Sequence, residues 1–118
     1  MSYKVEATEN FKKEAKKLIK KYKSLKGEIA QLGGQLTENP TLGIALGKNC
    51  YKIRLAIESK GKGKSGGARV ITHVYVKGET VFLLSIYSKG DKDDISDAEI
   101  DDLLEQLDEE DEDGNDKK

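Results

Sequence analysis

Residues 50–88 read CYKIRLAIESKGKGKSGGARVITHVYVKGETVFLLSIYS, and the three strand patterns in this stretch decide the fold. Apolar and polar side chains alternate over 51–58 and again over 68–76, as they do in half-buried strands. Residues 80–88 are apolar on both faces, so this strand is expected to be central. Because consecutive strands are joined by short connections, the sheet is predicted to be antiparallel.

Alternation also predicts which side chains of the last strand share a face of the sheet. It places Tyr87 on the same face as Val81 and Leu83, and it places Ile86 on the opposite face with Leu84. Both faces of this strand therefore require a cover.

Helices are predicted on both sides of the sheet segment. A short strand over 2–6 precedes a helix that begins after Thr8 and ends near Tyr22, and a second helix runs from about Ser24 to Asn39-Pro40. Their apolar stripes need a partner surface, so the two helices should pack as a hairpin on one face of the sheet. A further helix is predicted after the sheet. The predicted fold class is therefore α+β, in the order β-α-α-β-β-β plus a C-terminal helix.

Charge divides the 118-residue chain into a basic body and an acidic end. Residues 1–90 hold 18 Lys and Arg against 7 Asp and Glu, whereas residues 91–118 hold 3 Lys against 15 Asp and Glu. We expect one domain over 1–90, an acidic amphipathic helix packed on it over 91–107, and a disordered acidic tail over 108–118. A basic body of this size favours a polyanionic partner, most often a nucleic acid.

Several classes of protein are disfavoured by the composition. A single cysteine, Cys50, excludes an intramolecular disulfide and a cysteine-based zinc cluster, and a single histidine, His73, excludes His-rich metal sites. No apolar stretch reaches the roughly 18 residues of a membrane span, and the N-terminus lacks the apolar region of a signal peptide. A cytoplasmic protein with no membrane contact is expected.

Strand parity gathers cations on the sheet face opposite the helical hairpin. That face is predicted to hold Lys52, Arg54, Arg69, His73 and Tyr87. Cations gathered in this way repel one another, which favours an anionic ligand over a chance arrangement. The plainer alternatives are a surface arginine, an edge tyrosine that packs on the last helix, and a sheet histidine with a satisfied hydrogen bond.

Two further groups of lysines are candidate phosphate contacts. The glycine-rich loop between the first two predicted sheet strands carries Lys60, Lys62 and Lys64, but Glu58 stands where a Walker A loop needs its first glycine. The first helix carries Lys13, Lys17 and Lys20 on its polar face, where they could dock on RNA through counterion release or simply be solvated.

Three segments of the chain resemble the RelE/ParE superfamily of bacterial type II toxins, and the HigB-like branch most closely. They are CYKIRLAI at 50–57, GKGKSGGARVI at 61–71 and LLSIYSKGDKDDIS at 83–96. The resemblance covers about residues 3–107 and includes the order of the elements. It implies a ribosome-dependent mRNA endonuclease, in which the 2′-hydroxyl attacks the adjacent phosphate and leaves a 2′,3′-cyclic phosphate or a 3′-phosphate.

The resemblance also implies roles for individual residues. Lys52 and Arg54 occupy two basic positions of the family, where a lysine acts as the general base or holds the phosphate, and Arg69 matches the arginine that stabilises the scissile phosphate. Lys89 stands where a second cation is expected, and Tyr87 matches the tyrosine of the Ile-Tyr-x-Lys segment. The phosphate charge would be met by these side chains, so no metal or cofactor is expected.

The implied partners are the ribosome, mRNA and a cognate antitoxin, expected to be a helix-turn-helix protein. Two alternatives stay open: a ParE-like gyrase poison, which needs no catalytic cations, and a non-catalytic RNA- or protein-binding module. The acidic segment is unusual for a protein that enters an RNA machine. If it folds onto the basic face, deleting residues 91–118 should raise RNA affinity and toxicity.

Overall fold

The computed structural model describes residues 2–60, 66–92 and 94–116 of the chain. Its elements are β1 (Lys4–Ala7), α1 (Glu9–Lys21), α2 (Leu25–Glu38), β2 (Ile44–Gly47), β3 (Cys50–Leu55), β4 (Ala68–Tyr75), β5 (Thr80–Ser88) and α3 (Asp97–Asp116), with a 3-10 turn at Glu58–Lys60. The α+β class and the predicted helical hairpin are confirmed. No described helix is long and apolar enough to cross a membrane.

Helix α1 is tied to the sheet at its first turn. The Thr8 side-chain oxygen caps the helix by accepting from the backbone N–H of Phe11 at 3.2 Å. Its hydroxyl also lies 3.2 Å from the Leu83 carbonyl oxygen, to which it donates. The predicted start of the helix is therefore correct, and the cap fixes the helix against β5.

The five strands lie in the order β1-β5-β4-β3-β2. All neighbouring pairs are antiparallel except β1 and β5, which are parallel, so the prediction of a wholly antiparallel sheet is wrong at this edge. The helical hairpin carries the chain back across the sheet before β2 begins, and such a crossover allows the first strand to run parallel to a late one. The short edge strand β2 was not predicted because its four residues show no clear alternation.

A bulge in β5 changes the predicted parity of that strand. Ile71 pairs with Ser85 but Thr72 pairs with Leu83, so Leu84 is the extra residue. Beyond the bulge, Ile86 joins the core under the helical hairpin together with Val81, while Tyr87 packs with Leu84 on the other face. The prediction that Tyr87 shares a face with Val81 is therefore wrong.

Two cores result, one on each face of the sheet. The larger lies under α1 and α2 and includes Phe11, Leu25, Leu36 and Val70. The smaller lies under α3, where Ile100 and Leu107 contact a buried group of Cys50, Ile71, Leu84 and Tyr87. Helix α3 begins with a reciprocal cap, in which Glu99 accepts from the Ser96 backbone N–H and the Ser96 side chain accepts from that of Glu99.

Helix α3 is longer than predicted. It continues to Asp116, so residues 108–116 are helical where a disordered tail was expected, and residues 117–118 lie outside the described part of the chain. The segment contains no proline and begins from a helix already anchored by the smaller core, so each added residue extends an existing helix instead of nucleating a new one.

Candidate nucleic-acid interface

Three predicted site residues lie side by side across the sheet. Arg54 of β3 pairs with Arg69 of β4, and Arg69 pairs with Tyr87 of β5. Directly opposed residues on neighbouring strands have Cβ atoms only about 5 Å apart. The structure therefore forms a row of two guanidinium groups and one phenol, here called the Arg54–Arg69–Tyr87 row.

Burial differs sharply along this row. Arg54 is exposed at one end, whereas Arg69 is only 3% exposed and Tyr87 only 7%. One Arg69 nitrogen, Nη1, donates to the Ala68 carbonyl oxygen at 3.1 Å. A buried guanidinium retains strong attraction for an anion because the solvent screens it little.

The Tyr87 hydroxyl is a buried donor. It has no hydrogen-bond partner within the described residues. The pKa of Tyr87 is raised to about 12, chiefly by burial and then by the nearby Asp94 carboxylate, while the Arg69 cation acts in the opposite direction. The phenol is therefore protonated at neutral pH and has a proton to donate to an incoming group.

Lys52 lies two residues before Arg54 in β3, on the same face, and its side chain forms an ion pair. Its Nζ is 3.1 Å from Oδ1 of Asp94, which precedes α3. The backbone N–H of Ile95 and the Lys52 ammonium both hold the pKa of Asp94 below its usual range. The Lys52–Asp94 pair shows that the position in front of Lys52 accepts an anionic oxygen.

Lys60 lies at the end of β5, next to the helical hairpin. Its Nζ donates to Oγ of Ser88 at 2.8 Å and lies 5.5 Å from the centroid of the Tyr22 ring. Neighbouring contacts fix this turn to α2, because the Ser59 backbone N–H donates to the Ser24 side chain at 2.9 Å. The other two predicted loop cations, Lys62 and Lys64, lie outside the described residues.

The structure does not bring every predicted residue into the row. Lys89 follows β5 and is exposed, and its backbone N–H donates to the Gly67 carbonyl oxygen. The α1 lysines are exposed on the hairpin side of the sheet, whereas the row lies on the α3 side. These are Lys13, Lys17 and Lys20. They form a basic surface that is separate from the Arg54–Arg69–Tyr87 row.

Sequence reasoning missed Lys92. Its Nζ lies 5.2 Å from the centroid of the Tyr87 ring and forms an ion pair with Glu99 of α3. The signal was hidden because Lys92 stands among acidic neighbours in the segment DKDD at 91–94. In the structure, the turn after β5 brings the Lys92 side chain over the Tyr87 ring, and the sequence gives no sign of this contact.

His73 and Cys50 lie on the row's face but at the far end of the strands. The Cys50 Sγ is 3.7 Å from the His73 Nδ1, and burial raises the pKa of the thiol to about 11. A thiol with this pKa is protonated at neutral pH, so it does not serve as a nucleophile. Among the described residues, no group of His, Cys, Asp and Glu is arranged to hold a metal ion.

Comparison with protein families finds one described as the RelE toxin of the RelE/RelB toxin–antitoxin system. Its sequence model matches residues 3–110. The match therefore spans the body, the row and the described side chains of α3.

Comparison with solved structures finds the same fold in E. coli toxin RelE. A free-state structure of a double arginine-to-alanine mutant gives a TM-score of 0.59 at 22% identity, over 78% of this chain and 88% of that one. The isolated toxin gives 0.57 at 20% identity, over 90% and 99% of the two chains. A chain of the intact E. coli RelBE toxin–antitoxin complex gives 0.57 at 24% identity, over 72% and 94%.

Proposed function

The chain belongs to the RelE toxin family, and from this membership we propose that it is a metal-independent mRNA endonuclease that acts on translating ribosomes. The Arg54–Arg69–Tyr87 row, with Lys52 beside it, is the observation that carries this proposal. It combines cations that bind a phosphate with a protonated phenol. Cleavage of RNA by its own 2′-hydroxyl requires these groups and no metal.

Arg69 is the residue proposed to bind the scissile phosphate. Its planar guanidinium can donate two parallel hydrogen bonds to phosphate oxygens, and its burial keeps its charge poorly screened. Negative charge on the non-bridging oxygens grows as the 2′-oxygen attacks phosphorus. An interaction that strengthens at that point lowers the barrier instead of merely binding the substrate.

Proton transfers are proposed for the groups on either side of Arg69. Lys52 is assigned to the 2′-hydroxyl, as the base or as a cation that holds the phosphate, and Arg54 is assigned as a cation that holds the phosphate. The Tyr87 phenol, protonated at neutral pH, is assigned as the acid that gives a proton to the leaving 5′-oxygen. Lys60, Lys62, Lys64 and Lys89 are proposed to hold the flanking RNA backbone.

The proposed partners follow from family membership. The RelBE complex is a toxin bound to its antitoxin, and we assign this chain a cognate antitoxin, expected to be a helix-turn-helix protein, together with the ribosome and mRNA in the cytoplasm. The HigB-like branch remains a prediction from the sequence.

A purified translation system tests the proposed activity. The protein is incubated with an mRNA alone and with the same mRNA on ribosomes paused at a defined codon. We expect cleavage only on the ribosome and a loss of about 10²-fold or more in Arg69→Ala, because one transition-state contact contributes on that scale. Lys77→Ala removes an exposed turn lysine and serves as the matched control.

Three results bear on the alternatives. Cleavage by Arg69→Ala at the wild-type rate would contradict the assigned role of this residue. Arg69→Lys keeps the charge without the planar fork, and thermal melting of both variants shows whether each is folded. Intact mRNA with inhibited DNA gyrase would favour the ParE-like alternative, and intact mRNA with no gyrase effect would favour the binding module.

A further inference from the structure

The C-terminal segment places carboxylates on three lysines of the sheet side. Each pair joins a residue before or in α3 to a cation outside it. The pairs are Lys52–Asp94, Lys92–Glu99 and Lys48–Asp101. We propose, on the basis of the proposed RNA-cleaving function, that these three carboxylates occupy the positions of RNA phosphates and that Lys48 and Lys92 belong with Lys52 to the RNA-binding surface.

The contrast in exposure between cation and acid is largest in the Lys52–Asp94 pair. The Lys52 side chain is 16% exposed and its Asp94 partner is 64% exposed. Lys92 packs over the Tyr87 ring independently of its contact with Glu99. Exposed ion pairs contribute little to stability, so a stronger polyanion can replace the carboxylates without unfolding the protein.

Two of the pairs lie at the row, where Lys92 sits over the Tyr87 ring and Lys52 neighbours Arg54, and the Lys48–Asp101 pair lies toward the other end of β3. Asp94 interacts electrostatically with Arg69, at the row itself, and Asp101 interacts with Cys50 near the other end of β3. Cys50 and Arg54 are four residues apart on this strand, which corresponds to about 13 Å. The pairs therefore mark a path for an RNA backbone that leads from the proposed scissile phosphate toward the β2–β3 turn, where Lys48 lies.

Exchange at the three lysines does not require helix α3 to leave the sheet, whereas access of the proposed scissile phosphate to Arg69, which is 3% exposed, requires a local shift of the residues that cover it. The apolar α3 side chains Ile100 and Leu107 are buried in the smaller core. The carboxylates lie on side chains that are 44–64% exposed, so an anion can displace them from the lysines while Glu99 keeps its cap on Ser96. The competition is therefore between charges at the surface of a folded protein.

The test measures binding of a short 2′-O-methyl RNA, which lacks the attacking hydroxyl and cannot be cleaved. The triple variant Asp94→Asn, Glu99→Gln, Asp101→Asn is compared with wild type. These amides preserve the cap at Ser96, because Gln accepts the same hydrogen bonds as Glu. We expect affinity to rise roughly tenfold at low salt, and the slope of log K against log salt to steepen by about 2, since each newly available cation adds about 0.7 for a single strand.

A second triple variant separates pairing from net charge. Asp91→Asn, Asp102→Asn, Glu105→Gln removes the same charge from exposed acids that form no ion pair within the described residues. We expect a smaller gain in affinity and little change in slope. Equal gains and equal slopes in the two triple variants would overturn the proposal.

Single lysine substitutions in the first triple variant test the new RNA contacts. Lys48→Ala and Lys92→Ala should each reduce the slope by about 0.7, and Lys77→Ala should not. If all three behave alike, Lys48 and Lys92 do not contact the RNA. Because the probe cannot be cleaved and no ribosome is present, this result is independent of whether the protein cleaves mRNA.

Discussion

At the scale of single residues, the proposed chemistry rests on two side chains that are nearly fully buried. Arg69 and Tyr87 are both nearly inaccessible, yet each carries a group that forms hydrogen bonds readily. Placing such groups under α3 strengthens their interaction with an anion and removes competing water. Lys52 and Arg54 are more exposed and can meet the substrate first.

The substitution Tyr87→Phe should separate catalysis from stability. The hydroxyl has no hydrogen-bond partner among the described residues, so its removal relieves a desolvated group. We expect the free energy of unfolding to stay the same or rise by about 1 kcal/mol, while the cleavage rate on the ribosome falls about 10²-fold. Urea melts and single-turnover cleavage measure the two effects. A clear loss of stability, or an unchanged rate, would contradict the assignment of Tyr87 as the acid.

Stability at alkaline pH should also depend on Tyr87. Its pKa is about 12 in the folded protein, above the value of about 10 for an exposed tyrosine, so its stabilising contribution is complete below about pH 10 and is lost as the pH rises toward 12. Urea melts at pH 8 and pH 11 should show a smaller alkaline loss of stability for Tyr87→Phe than for wild type. The lysines are the same in both proteins, so the difference in alkaline loss of stability between wild type and Tyr87→Phe reports the phenol alone. Identical losses would mean that the phenol ionises normally in the folded state.

At the scale of elements, the sequence predicted what local patterns encode. Alternation over 51–58 identified β3 and the shared face of Lys52 and Arg54, and the cap at Thr8 located α1. The parallel partner of β1 could not be predicted, because it depends on a strand more than seventy residues away in the chain. The bulge at Leu84 could not be predicted either, because an extra residue does not disturb the sequence pattern of a strand that is apolar on both faces.

The bulge matters for the site as well as for the fold. With strict alternation through β5, Tyr87 would lie on the face of Val81 and Leu83, under the helical hairpin. The extra residue at Leu84 shifts it to the α3 face, where it completes the Arg54–Arg69–Tyr87 row. The prediction placed Arg54, Arg69 and Tyr87 on one face, as the structure does. Strict alternation through β5 would instead have put Tyr87 on the opposite face.

At the scale of the whole molecule, the opposite charges of the two ends are in contact. The acidic segment lies on the basic body through two ion pairs, Lys48–Asp101 and Lys52–Asp94, and through the smaller core. Deleting residues 91–118 would remove the charges and also uncover buried apolar side chains such as Leu84. The paired amide variants keep that core intact, so they examine the electrostatic effect alone.

The central claim is that this protein cleaves mRNA on the ribosome through Arg69. Mapping of mRNA 5′ ends after brief induction in a bacterial host tests it most directly, with Arg69→Ala beside wild type. The account predicts new ends confined to translated regions and in phase with codons, present for wild type and absent for Arg69→Ala. New ends that fall equally in untranslated RNA, or that persist in Arg69→Ala, would contradict it.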